Sequence, residues 1–180
     1  MRATDRVADC LTDALIVDDG YDEIVTGEEV EFETAVVVFA EGAPDFPGDR
    51  LWRLVEEERV TILGCSPTLV RALIPHGEPE GDLSSLRVFV TTGEPWNPDP
   101  YRWLFERIGR SRVPIVNITG GTEVGAVFLG SSIAEPIKAC SVGGPALGMA
   151  MDVVDPDGQS LVGTGEVGEL VCRKPFPGMT

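Results

Sequence analysis

Between residues 35 and 118, short apolar β-branched runs alternate with stretches of helical period, and this most constrains what the chain can fold into. Ala35–Ala40 is uninterrupted apolar sequence, the mark of a strand buried on both faces. After a Gly42–Gly48 loop with two prolines, Asp49 is placed to N-cap a helix over Arg50–Glu58, whose Leu51, Leu54 and Val55 share one stripe. Val60–Leu63 reads as a second strand. Ser66-Pro67 reads as an N-cap and first-turn proline for a helix to about Leu73. Beyond the Gly77–Gly81 loop, Leu86–Thr92 is a third strand, Pro98 opens a helix to about Ile108, and Val113–Ile118 is a fourth strand. Strands that alternate with helices of this length predict an α/β fold, a partial and mainly parallel sheet with flanking helices.

The flanks differ from this centre. Residues 1–34 are acidic and weakly periodic, with a short amphipathic helix expected over Val7–Val17 and a turn at Asp18-Asp19-Gly20; the stretch reads as an extension. Past residue 130, glycines punctuate short strands expected at Met151–Val154 and Glu169–Arg173, with Asp157-Gly158 placed for a hairpin turn. The predicted organisation is therefore an acidic extension (1–34), a partial α/β subdomain (35–140) and the start of a small β subdomain (141–180).

Charge narrows the partners. A net charge of −16 and a pI near 4.3 repel phosphate backbones and anionic lipid, so neither nucleic acid nor membrane is expected as a partner. Of the 14 basic residues only Lys138 and Lys174 are lysines. The balance fits an ordinary acidic soluble protein or, as the sharper reading, one from a salt-rich cytoplasm where cations screen self-repulsion. No apolar run approaches the roughly 20 residues of a membrane span, and Met1–Arg6 leads into no leader-like segment, so the expected location is the cytosol. Cys10, Cys65, Cys140 and Cys172 lack C-x-x-C spacing, which argues against zinc and against a disulfide framework. His76, the single histidine, sits between Pro75 and Gly77 and reads as a solvated loop residue rather than a base.

In open parallel sheets, ligands bind beyond the carboxyl ends of the strands. Two unusual loops fall there. One is Thr91-Thr92-Gly93-Glu94-Pro95, and the other is Thr119-Gly120-Gly121-Thr122-Glu123. Glycine lets main-chain amides approach a ligand, Thr122 offers a hydroxyl to a phosphate, and Glu123 offers a carboxylate suited to Mg²⁺. Either loop alone is more simply a turn with solvated polar residues; two at neighbouring strand ends suggest a site.

Gly93-Glu94-Pro95-Trp96-Asn97-Pro98 followed by Asn117-Ile118-Thr119-Gly120-Gly121-Thr122-Glu123 resembles two signature loops of the AMP-forming acyl-CoA synthetases, especially their acetyl-CoA synthetase branch. Glu41–Pro44, Val60–Thr68, Asp82–Arg87 and Gly165–Leu170 are similar to stretches of that family in the same order. The resemblance implies a carboxylic acid, ATP and coenzyme A as substrates, AMP and pyrophosphate as products, and Mg²⁺ as the metal. It implies that Gly93, Glu94 and Pro95 line the adenine side. Asn117, Ile118, Thr119, Gly120, Gly121 and Thr122 would wrap the adenylate. Thr122 and Glu123 would stand at the chemistry, Thr122 by the α-phosphate and Glu123 at the metal. Gly120 stands where acetate-specific relatives carry a tryptophan, so an opened pocket and a longer acyl group are expected. Thr119 replaces an aromatic ring that stacks on adenine in many relatives.

The resemblance also implies parts not found between residues 1 and 180: a Ser/Thr/Gly-rich phosphate loop upstream and a C-terminal domain bearing the adenylation lysine. Gly20–Val25 is faintly similar to sequence just before that loop, and Ala35 onward to sequence well after it, as if a segment were deleted near residues 33–35. The expected state is a fragment inactive alone. A split synthetase completed by a second chain, and a non-catalytic adenylate-binding module, stand as alternatives.

Overall fold

The computed structural model describes residues 13–16, 36–39, 42–121 and 125–176. They fall into two compact units, 1–116 and 117–180.

The first unit is built on parallel strands in the order β2-β1-β3-β4: β1 (Asp13–Ile16), β2 (Val36–Phe39), β3 (Ile62–Cys65) and β4 (Val88–Thr91). In register, Leu15 lies beside both Val38 and Leu63, and Leu63 beside Phe89. β5 (Ile115–Gly121) begins next to β4, where Phe89 N–H donates to the Pro114 carbonyl at 2.9 Å. The parallel α/β expectation is met. The helix expected over Val7–Val17 is not: Asp13–Ile16 is a strand inside the sheet, between β2 and β3. Four apolar-leaning residues suit either period, and pairing on both sides decides for the strand.

The connecting helices are short, with 8, 7 and 5 residues in α-helical winding. α1 (Arg50–Glu57) buries Leu51, Trp52 and Val55, so the apolar stripe includes Trp52, while Leu54 is only half-buried. Asp49 occupies the N-cap position in a helical conformation and makes no capping bond; its carboxylate pairs instead with Arg53 at 3.2 Å. α2 (Pro67–Leu73) starts as expected, with Ser66 extended and its hydroxyl accepting from Leu69 N–H at 3.1 Å. α3 (Pro98–Arg102) gives way at Trp103–Ile108 to a wider π-helical winding, closed by Gly109 N–H donating to the Leu104 carbonyl at 2.8 Å. In this segment Trp103 meets Trp52 of α1, ring centroids 6.5 Å apart, and Leu104 and Ile108 are buried. Phe89 and Leu63 at the sheet centre and Leu51, Leu73 and Leu104 on the helices are essentially inaccessible, each worth about 1.5–3 kcal/mol of burial.

The second unit is antiparallel. β5 pairs with β6 (Ala126–Gly130), and β6 with β7 (Gly144–Pro145). β8 (Met151–Val154) and β9 (Glu169–Cys172) form a separate two-stranded sheet, close to the strands expected there. The Asp155–Gly158 turn, with Gly158 at φ +79° and its N–H donating to the Asp155 carbonyl at 3.0 Å, folds back after β8. Among its described residues this unit buries only Asn117 and Val154, and it leaves Leu147, Val162 and Val167 well exposed.

Candidate functional site

The first candidate loop leaves β4 at Thr91 and enters α3 at Pro98. Two side chains hold it. Trp96 folds back under the loop, where its indole N–H donates to the buried Thr91 hydroxyl at 2.9 Å and its ring meets Tyr101 edge-on at 5.5 Å. Glu94 reaches the other way, to α2. Its Oε1 accepts from Thr68 N–H at 3.0 Å and its Oε2 from Arg71 Nη2 at 2.5 Å. Hydrogen bonding from Thr68, then from Arg71, holds the Glu94 carboxyl below its usual range. Between these anchors Gly93 takes φ +91°, with nothing within 4 Å of the position a Cβ would occupy. The loop therefore offers open main chain at Gly93, while the Glu94 carboxylate is already committed within the protein. Pro95 is exposed beside it.

The second candidate stretch is a strand rather than a loop at Thr119-Gly120-Gly121. Thr119 pairs with Leu129, Gly120 with Val127 and Gly121 with Ala126; the register shifts between Thr119 and Gly120, so Phe128 is the extra residue of a bulge. Phe128 in turn meets Phe176 edge-on at 5.7 Å. Asn117 is 2% exposed, and its carbonyl accepts from Ser131 N–H at 3.0 Å. Ile118 is half-buried on the same strand. A Cβ at Gly120 would stand 2.3 Å from the Ala126 carbonyl oxygen and 3.1 Å from Val127 Cα. β6 main chain thus lies against Gly120 on the side where a Cβ would stand, while the residue itself is exposed. Thr122 and Glu123 lie outside the described residues.

Sequence reading missed Arg71 and Thr68, because a helical arginine and a main-chain amide carry no motif of their own. It also missed the hydrogen bond of Trp96, although the indole was in the signature stretch.

A cleft of about 580 Å³ lies elsewhere in the first unit, lined by Gly48, Trp52, His76 and several acids. Its carboxylates are largely committed: Asp49 to Arg53, Glu56 to Asp82 N–H at 2.9 Å, and Glu78 to Arg107 and Arg110. His76 is exposed at the end of a short 3₁₀ turn, as expected of a solvated residue. Among the described residues no group of three or more histidine, cysteine or acidic side chains could hold a metal, and no helix is long and apolar enough to cross a membrane.

The AMP-binding enzyme family matches residues 32–180. The acetyl-coenzyme A synthetase of Pyrobaculum arsenaticum is 36% identical over 167 residues, 89% of this chain and 24% of that protein. That of Methylobacillus flagellatus is 40% identical over 151 residues, 79% of this chain and 22% of that protein. Among solved structures, acetoacetyl-CoA synthetase from Streptomyces lividans superposes with a TM-score of 0.72 at 34% identity, covering 82% of this chain and 23% of that one. An anthranilate CoA ligase in complex with anthranoyl-AMP superposes with a TM-score of 0.65 at 25% identity, covering 77% and 26%. The chain thus spans about a quarter of the length of the relatives it matches.

Proposed function

This chain belongs to the AMP-binding enzyme family, and from that premise we propose that it carries nucleotide-side elements of an AMP-forming acyl-CoA synthetase and binds an adenylate without turning over alone. In the full reaction a carboxylate oxygen attacks the α-phosphorus of ATP and pyrophosphate leaves. The thiol sulfur of coenzyme A then attacks the acyl carbon, and AMP leaves.

The observation that carries the reading is the Gly93-Glu94-Pro95 loop. It is fixed at Glu94 and Trp96 yet open at Gly93, whose positive φ presents main chain that a side chain would screen. With the Glu94 carboxylate turned to α2, the nucleotide would be met here by main-chain groups of Gly93 and Pro95. The family resemblance further implies Asn117 to Gly121 for the adenylate and Thr122 for its phosphate. Mg²⁺ would supply charge neutralisation on the phosphates, with Glu123 as the carboxylate offered to it. That the relatives are about four times longer supports binding without turnover for the chain alone.

The test is thermal unfolding of the chain in concentrated KCl with a non-hydrolysable acyl-adenylate analogue, alongside an ATP–pyrophosphate exchange assay. An upward shift of about 2.7 kcal/mol in apparent stability at a hundred times Kd is expected, with no exchange. A melt indifferent to saturating analogue would sink the binding reading. Exchange by the chain alone would sink the claim that it needs further parts.

A further inference from the structure

Glu94 and Arg71 are 23 residues apart, and what joins them is more than a surface ion pair. The Arg71 Nη2 that donates to Glu94 also donates to Thr68 Oγ1 at 2.6 Å, while Thr68 N–H donates to the other Glu94 oxygen at 3.0 Å. Arginine, threonine and glutamate therefore close one hydrogen-bonded ring between α2 and the loop. α2 is a firm base for it, because Pro67, Val70 and Leu73 on its other side are buried. The loop has no comparable support at its apex, where nothing lies within 4 Å of a Cβ on Gly93.

We propose that Arg71 is a positioning residue for the nucleotide-side loop: by holding Glu94 against the first turn of α2, it fixes residues 92–97 so that the Gly93 main chain is presented in one conformation. The role rests on the adenylate reading above. Charge supplies a second reason. In a chain of net charge −16, an unpaired carboxylate in this loop would repel an anionic nucleotide, and the guanidinium cancels that charge where the ligand arrives. Both bonds leave the one Nη2 nitrogen, and the guanidinium keeps its charge at every working pH, so it remains a donor to Thr68 and a counter-charge to Glu94.

The pair is half-exposed, so its worth in overall stability is small. The effect belongs in the loop and in binding. The experiment is hydrogen exchange of the full chain, reading peptides over 92–97 and over β3, with AMP affinity measured on the same samples. Arg71→Ala should speed exchange over 92–97 by roughly fivefold, leave β3 protected, and weaken AMP binding by a similar factor. Arg71→Lys should recover part of both, and Glu94→Gln, which changes the loop side of the ring and leaves α2 intact, should reproduce the loop effect. Unchanged exchange over 92–97 in Arg71→Ala and Glu94→Gln would overturn the proposal. So would faster exchange with unaltered AMP affinity. If the loop loosens as expected but the wild-type chain binds no AMP at all, the latch stands and the nucleotide reading falls.

Discussion

The indole N–H of Trp96 donates to the hydroxyl of Thr91 at 2.9 Å, tying the loop after β4 back to the last residue of that strand. Thr91 is fully buried and Trp96 is 6% exposed, so water cannot replace the bond. Trp96→Phe keeps most of the ring and loses the donor; it should lower stability by about 1–3 kcal/mol. Thr91→Val should do the same by stranding the indole N–H. The double variant should cost less than the sum of the two, since each removes the same bond. Urea unfolding of the three variants checks this, and strict additivity would mean the bond contributes nothing.

Cys65 ends β3 with its thiol buried, and that burial pushes its pKa up to about 12. At pH 8 only about one in ten thousand such thiols is ionised. In the native chain iodoacetamide should therefore modify Cys172 and Cys140, which are half-buried, and spare Cys65 until denaturant is added. Mass spectrometry of alkylated peptides reads the order directly; early labelling of Cys65 would show that the carboxyl end of β3 opens in the native state.

Glu94 and Asp152 both have carboxyls held below their usual range, Glu94 by Thr68 and then Arg71, Asp152 by the Ser160 hydroxyl and then Arg173. A depressed folded value means the stabilisation is complete above the ordinary values, 4.5 and 3.8, and is lost as pH falls through the lower folded ones. The difference in melting temperature between wild type and a Glu94→Gln, Asp152→Asn double variant should thus be constant near neutrality and shrink below about pH 4.5. A difference that grows on acidification has the wrong sign for this account.

The α/β fold was legible because its signals are local: Ser66-Pro67 opens α2 as read, and Pro98 opens α3. What escaped depends on contacts distant in sequence. Asp13–Ile16 becomes a strand through neighbours at Val36–Phe39 and Ile62–Gly64, which no window around residue 14 contains. Thr119–Gly121 looks like a loop by its glycines, yet Ala126–Gly130 makes it a strand. The glycine at 120 marks close approach of another backbone, not only freedom to turn. At the site the motif named Glu94 but not Arg71, because pairing partners of a carboxylate are a matter of topology.

Thirty acidic against 14 basic residues leave the folded chain under strong self-repulsion, which ion pairs such as Arg71–Glu94 and Arg173–Asp152 relieve only locally. At 1 M salt the screening length falls to about 3 Å, so repulsion between exposed carboxylates is largely removed. The melting temperature should rise steadily from dilute buffer to molar KCl, with NaCl acting comparably. A melting temperature that ignores salt would remove the salt-rich cytoplasm from the account of this composition.

Gly120 and Gly93 make a controlled comparison of two reasons for glycine. At Gly93 the backbone has φ +91° and the space around a Cβ is open, so Gly93→Ala should cost about 1 kcal/mol through strain alone. At Gly120 the backbone is unremarkable, but a Cβ would press on the Ala126 carbonyl oxygen at 2.3 Å, main chain that cannot rotate away. Gly120→Ala must therefore shift β5 against β6 at the bulge, and should cost about 1–3 kcal/mol, more than Gly93→Ala. Gly120→Trp should be worse again. Chemical unfolding ranks the three. If Gly120→Ala instead melts like wild type, β6 yields at this point and the hydrogen at 120 is not demanded by strand pairing.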